Sequence, residues 1–500
     1  MTTAYEQLTS TFATLDAIEG SLSMLNWDMQ TMMPSGGAEA RSRQMATLKG
    51  LAHQTIADPR VGDWLDAAEA DADLGEWERA NVVEMRRMWR QRAGLDADLV
   101  RAFSETGTRC TMVWREARAA NDFAMLQPVL TEMFDRVRDM GAAMSDLTGL
   151  SPYDALMDTF EPTMTAARVT ELFAPLEDRL PDLVAAVLDK QAAAAPAPVA
   201  EGPFAIDAQR AVGVELMGAL GFDFDHGRLD ISHHPFCGGV VGDVRITTRY
   251  DESDFSSAMM GVLHETGHAL YEANRPADWL GQPVSVARSM GVHESQSLFV
   301  EMQLCRSRAF LTWAAPKIAA GLGRAGDPGL SPDALIASAQ RVQRGLIRVD
   351  ADEVTYPLHV MLRFRLEQAL VAGDLDVADL PGAWTEAMES LVGVTPPSDA
   401  MGCMQDIHWM DGAVGYFPSY TLGAMLAAQL FEQVDEAIGG VDACVARGDF
   451  APVIGWLREN VHAVGSRYST DELVRRATGR PLDASAFLAH VERRYLREER

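Results

Sequence analysis

Cysteine is scarce and scattered. The five residues, Cys110, Cys237, Cys305, Cys403 and Cys444, are odd in number and form no CxxC pair. That argues against a disulfide framework and suits a reducing cytoplasm, where the chain is expected to reside. Each thiol is read as a small buried apolar group. Basic residues are also in deficit. Against 72 Asp and Glu stand 43 Lys and Arg, a formal charge of −29. No run of Lys and Arg offers a patch for nucleic acid or anionic lipid, so neither is expected as a partner. No run of about 18 apolar residues suggests a membrane span. The opening MTTAYEQLTS lacks the basic start and apolar stretch of a secretory signal. No internal repeat is visible.

What is present is ordinary globular composition, with 47% hydrophobic and 23% charged residues in 500. At roughly 150 residues per domain the length suggests about three domains, but one large helical body fits as well. Helical periodicity dominates. Leu8, Phe12, Leu15, Leu22 and Leu25 share one face of an opening helix, and Val169 to Val187 repeat the pattern. Pro175 and Pro181 are expected to bend or interrupt that second stretch. Ser331-Pro332 predicts an N-cap and first-turn proline, with a helix running past Leu346. Thr470, Asp471 and Glu472 open another. Residues 191–203, rich in Ala and Pro, read as a loop. The β-branched residues between Val240 and Thr248 predict a small sheet, with Gly238 to Gly242 as a hairpin turn.

The chemistry concentrates in His264-Glu265-Thr266-Gly267-His268. Met260, Leu263, Ala269 and Leu270 place it on a helix. Side chains at i and i+4 share a face, so both imidazoles can reach one zinc ion. Glu265 can then take a proton from a water that the metal activates. The bland alternative is a solvated face that happens to carry two histidines. A catalytic zinc needs a third protein ligand. Glu294, in a second helical pattern 26 residues after His268, is the choice. Glu301 and Glu272 are read as helix-surface acids. His293 is a substrate or supporting contact, because adjacent helix positions diverge by roughly 100°.

Several further motifs stand in a fixed order: Leu25-Asn26-Trp27-Asp28, His234-Pro235-Phe236, Asp243 to Thr247, His293 to Ser297, Arg348 to Tyr356, Gln405 to Trp409, and Gly415 to Tyr420. With HETGH they resemble the thermostable metallocarboxypeptidases typified by carboxypeptidase Taq, across nearly the whole chain. The resemblance implies a mostly α-helical, clam-shaped fold with a deep central groove. A small β-sheet around 240–250 lines that groove, and the HExxH helix packs against the helix carrying the third ligand. It also implies one catalytic domain over 1–500, one Zn2+ per chain replaceable by Co2+, and a homodimer. The implied activity removes C-terminal residues from peptide substrates, broadly but poorly at proline.

A carboxypeptidase must hold a free α-carboxylate, and a guanidinium does so with two parallel hydrogen bonds. The resemblance favours Arg348. Its bland alternative is a structural salt bridge to one of the acids beside it, Asp350, Asp352 or Glu353. Arg245 is the second candidate, with a strand-to-helix tether as its alternative. His408 and Tyr420 are assigned to the scissile carbonyl or substrate terminus on the resemblance alone, and Tyr416 is the close alternative to Tyr420. His234 is read as structural. His53, His226, His233, His359, His462 and His490 are given no role. A zinc oligopeptidase or dipeptidase is the competing activity, and a non-catalytic peptide-binding scaffold the competing class.

Overall fold

A computed structural model describes residues 2–497. The described residues are mostly helical and carry a single three-stranded sheet. Seven helices position the site: α1 (Ala4–Thr31), α2 (Ala166–Ala193), α3 (Phe255–Ala273), α4 (Met290–Leu298), α5 (Pro332–Ala339), α6 (Tyr356–Ala372) and α7 (Pro418–Ile438). Among the described residues no helix is long and apolar enough to cross a membrane.

Thr3 caps α1 by accepting from the Glu6 amide at 3.1 Å, while Glu6 reaches back to the Thr3 amide at 2.7 Å. Leu8, Phe12 and Leu15 are buried as their spacing predicts. α2 departs from expectation: it runs unbroken through Pro175 and Pro181. Its whole stripe, Val169, Leu172, Phe173, Leu176, Leu180, Leu183, Val184 and Val187, is buried in the main core. That packing outweighs the lost backbone bonds. α5 departs the other way. Ser331 caps it, accepting from the Ala334 amide, but the helix stops at Ala339 instead of passing Leu346. Tertiary partners capture the chain there. Gln191 accepts from the Val342 amide at 2.8 Å and donates to the Val342 carbonyl at 2.9 Å. The helix predicted at Thr470 forms, with Ser469 as its cap.

The sheet has the order β1-β3-β2, with β1 (Gly227–Ile231) parallel to β3 (Asp243–Thr248) and β2 (Cys237–Val240) antiparallel to it. Pairing therefore starts earlier than the expected 240–250. The hairpin turn falls at Val241-Gly242, with Gly242 at φ +87°, a conformation glycine supplies without strain. Leu229, Val244 and Ile246 bury against Val262 and Ala269 of α3, which seats the sheet on the HExxH helix. On its other flank β2 meets α1: Ser23 donates to the Gly239 carbonyl at 2.8 Å, and the Trp27 and Phe236 rings lie 5.2 Å apart.

Candidate metal centre and substrate pocket

α3 presents His264 and His268 with ring centroids 5.0 Å apart, and α4 brings Glu294 to them. Oε2 of Glu294 lies 3.5 Å from Nε2 of His268 and 4.0 Å from Nε2 of His264. One ligand atom from each residue falls within 4.8 Å of the others. Ligands about 2 Å from a tetrahedral ion sit roughly 3.3 Å from one another, so the set fits a small divalent cation. Glycines permit this approach. A β-carbon on Gly267 would lie 2.4 Å from the Gln296 carbonyl oxygen, and one on Gly423 of α7 would lie 2.8 Å from Cβ of Glu294. α4 is thus pressed between α3 and α7 at the height of the ligands.

The electrostatics favour a cation. Burial disfavours a charged His264, but the carboxylates of Glu301, Glu294 and Glu265 outweigh it and raise the imidazole to about 10. Burial and the nearby His293 lower His268 to about 4, leaving the neutral imidazole that ligates metals. Burial opposes charge on Glu294, yet the imidazoles of His268 and His264 hold its carboxyl below the usual value. Glu265 is buried, and burial raises its carboxyl to about 7. That is the range suited to a general base near neutral pH.

Two acids expected on the surface are built into the site. Glu301 is buried and lies 2.9 Å from Nδ1 of His264, backed by Arg306 at 2.8 Å. The reason is local. Residues Phe299–Cys305 form a π-helical stretch, which turns Glu301 back toward α3. Glu272 lies 2.9 Å from Nε2 of His293 and 2.9 Å from Arg275. The His293 ring stacks on His268 at 4.4 Å. His293 therefore braces one histidine while Glu301 holds the other. Glu161, absent from the sequence reading, is buried. It accepts from Ser419 of α7 at 2.7 Å and from the Gly291 amide of α4.

A second cluster surrounds Arg348, which is buried in a 3₁₀ turn (Arg348–Asp350). Its salt bridge is not to the neighbouring acids. Nε and Nη2 donate to Oδ1 of Asp406 at 3.0 and 2.8 Å, and Nη1 donates to the Tyr356 hydroxyl. Asp352 accepts instead from the Val354 and Thr355 amides, and Glu353 is taken by His490, Arg494 and Tyr495. The Arg348 guanidinium lies 4.9 Å from the Tyr420 ring centre. Nε2 of His408 is 3.3 Å from the Tyr420 hydroxyl, and the Tyr416 ring is 5.2 Å from that of Tyr420. Burial and the arginines lower His408 to about 4, so it is neutral. Arg245 sits apart from this cluster on β3. It pairs with Asp243 at 2.6 Å and lies over Trp27 of α1 at 5.8 Å. Arg363 of α6, which sequence reasoning passed over, is fully buried and reaches Oδ2 of Asp406 at 2.5 Å. Two arginines, Arg363 and Arg365, interrupt the apolar run Val360 to Leu366, and an arginine on the apolar face of a helix was the available signal.

A half-buried His, His, Glu set beside a buried carboxylate base, held on packed helices, fits a metallopeptidase. The family model described as "Carboxypeptidase Taq (M32) metallopeptidase" matches residues 7–495, and the chain belongs to that family. Thermostable carboxypeptidase 1 of Thermus thermophilus is 39% identical over 483 residues, 94% of each chain. The solved structure of Trypanosoma cruzi metallocarboxypeptidase 1 superposes with a TM-score of 0.96 at 41% identity, covering 99% of each chain. The M32 carboxypeptidase from Deinococcus radiodurans gives 0.92 at 38% identity, covering 98% of each. The chain is a metallocarboxypeptidase, a metal-dependent peptide hydrolase.

Proposed function

We propose that the enzyme binds one Zn2+ through His264, His268 and Glu294 and releases C-terminal amino acids from peptides, with Glu265 as general base. The convergence of those three ligand atoms beside a buried Glu265 carries this reading. Two nitrogens and one carboxylate oxygen suit zinc, and Co2+ can replace it. The bound ion would supply Lewis acidity and lower the pKa of water. Glu265 accepts the proton of the attacking water at its carboxylate and passes it to the leaving nitrogen.

Arg348 is the anchor for the substrate α-carboxylate. It is a buried guanidinium held rigid by Asp406, with Nη1 turned toward the Tyr356 hydroxyl. Tyr420 and His408, hydrogen-bonded to each other beside it, contact the scissile carbonyl or the substrate terminus, and Tyr416 packs behind them. His293 supports His268 and borders the substrate. Arg245 contacts the peptide further along the groove. Broad side-chain tolerance and weak action on a C-terminal proline follow the family resemblance. So do a homodimer and a single catalytic unit spanning 1–500. The five free thiols are compatible with a cytoplasmic location.

The test is a mass time course. The zinc-loaded enzyme should shorten an N-acetylated peptide one residue at a time from its C-terminus. Internal fragments as first products would replace this reading with a zinc oligopeptidase.

A further inference from the structure

Asp406 is shared. Its Oδ1 accepts from Arg348, and its Oδ2 accepts from Nε of Arg363 at 2.7 Å. Arg363 is 0% exposed, and its Nη1 is tied to the His359 carbonyl at 2.7 Å. Trp384 and Phe417 lie over its guanidinium at 4.6 and 5.4 Å. The buried trio thus holds two guanidinium charges against one carboxylate, a surplus of one positive charge away from bulk solvent. The groups around it do not cancel the surplus. His408 and His359 are lowered to about 4 and about 3 by burial and the arginines, so both are neutral. Glu367, one turn along α6, is raised to about 7 by burial, so below that pH it is mostly neutral and leaves the surplus in place; its oxygens are engaged by Trp409, Tyr153 and the Gly415 amide. Glu294 lies on the metal side, and its charge belongs to that centre. An unbalanced buried charge is costly unless a counter-ion arrives. Nη1 of Arg363 is spent on the His359 carbonyl, whereas Nη1 of Arg348 meets only the Tyr356 hydroxyl, so the surplus favours an incoming anion there.

We propose that Arg363 is a positioning residue for substrate selection: by neutralising Asp406 it leaves the charge of Arg348 free for the α-carboxylate of the peptide. This rests on Arg348 being the anchor. Without Arg363, Asp406 and Arg348 would form a closed, neutral pair. A substrate carboxylate would then have to compete with Asp406 for the same guanidinium.

The charge surplus can be removed and restored in separate variants, with kcat and KM measured on an acetylated peptide as free acid and as amide. Arg363→Met should lower the acid-over-amide ratio of kcat/KM at least tenfold, chiefly by raising KM for the acid. Arg363→Lys should recover most of that loss. The decisive variant is Arg363→Met with Asp406→Asn, which restores one net positive charge and should bring the ratio back toward wild type. A residue needed only for folding predicts an unchanged ratio in Arg363→Met, or a double variant worse than either single change. Either result overturns the proposal. If Arg363→Met does not fold, Arg363→Gln takes its place, and a ratio equal to wild type in that variant contradicts the charge argument. A wild-type ratio near one would instead remove Arg348 as anchor. A large wild-type ratio kept by Arg363→Met would remove only the role given to Arg363.

Discussion

Oε2 of Glu301 lies 2.9 Å from Nδ1 of His264, on the side of the ring opposite the nitrogen aimed at Glu294. Burial opposes charge on Glu301, but Arg306 and His264 outweigh it and lower its carboxyl to about 2. An ionised Glu301 accepts the Nδ1 proton, fixes the tautomer and presents Nε2 to the metal. Glu301→Gln removes the charge while keeping the shape. Metal affinity should fall by roughly ten- to a hundredfold, measured by competition with a chromogenic chelator. Glu294→Ala should cost more, since it removes a ligand. Wild-type affinity in Glu301→Gln would mean that the contact is incidental.

Gly267 tests the helix packing. By propensity alone Gly267→Ala should stabilise α3 by about 1 kcal/mol. The packing predicts the opposite sign. The new β-carbon would meet backbone on α4, 2.4 Å from the Gln296 oxygen and 2.6 Å from Cα of Ser297. Backbone cannot swing aside, so the helices must part, at a cost of about 1–3 kcal/mol. Thermal unfolding should shift downward and metal binding weaken together. A more stable variant with normal metal affinity would contradict the close crossing.

Glu265→Gln leaves His264, His268 and Glu294 untouched. Metal content should stay near one per chain while kcat falls by several orders of magnitude, because base and proton shuttle are lost together. Metal analysis beside steady-state kinetics checks it. Turnover at the wild-type rate would end the assignment.

Glu367 gives a pH signature in stability rather than in activity. Burial raises its carboxyl to about 7, against an unfolded value of roughly 4.3. The folded chain therefore holds this proton more tightly than the unfolded chain does. Its stabilising share is complete below the unfolded value and is lost as pH rises through the folded one. Between about pH 5 and 7, wild-type stability should fall relative to Glu367→Gln, with a slope approaching 1.4 kcal/mol per pH unit. Urea unfolding of both proteins at several pH values measures it. Parallel curves would show that the carboxyl titrates normally.

The metal helix is legible in sequence because its logic is local. The spacing of His264 and His268 and the apolar residues around them determine helix, face and chemistry without any distant partner. The stripe of α2 is legible for the same reason, and its prolines mislead because their cost is met by tertiary packing. What escapes is set at long range. Glu301 reads as a surface acid until the π-helical stretch turns it inward, and no residue pattern marks such a stretch. The end of α5 depends on Gln191, some 150 residues earlier. Arg348 has three acids within a few residues, yet it pairs with Asp406, 58 positions away. The sheet was placed by its β-branched residues, but β1, with Gly227, Arg228 and Asp230, has little β propensity and is recruited by pairing with β3.

The central claim is that the substrate's terminal carboxylate is read by Arg348 beside a metal centre. Amidating a peptide removes that charge and puts a donor where the guanidinium needs an acceptor. The most direct measurement is kcat/KM for one acetylated peptide as free acid and as amide, in wild type and in Arg348→Ala. At a desolvated ion pair the loss is roughly 2–5 kcal/mol, or about two to three decades or more. Wild type should therefore cut the acid at its last bond and leave the amide nearly untouched, while Arg348→Ala should show a much smaller difference. Equal rates on the two peptides in wild type, or an undiminished difference in Arg348→Ala, would contradict it.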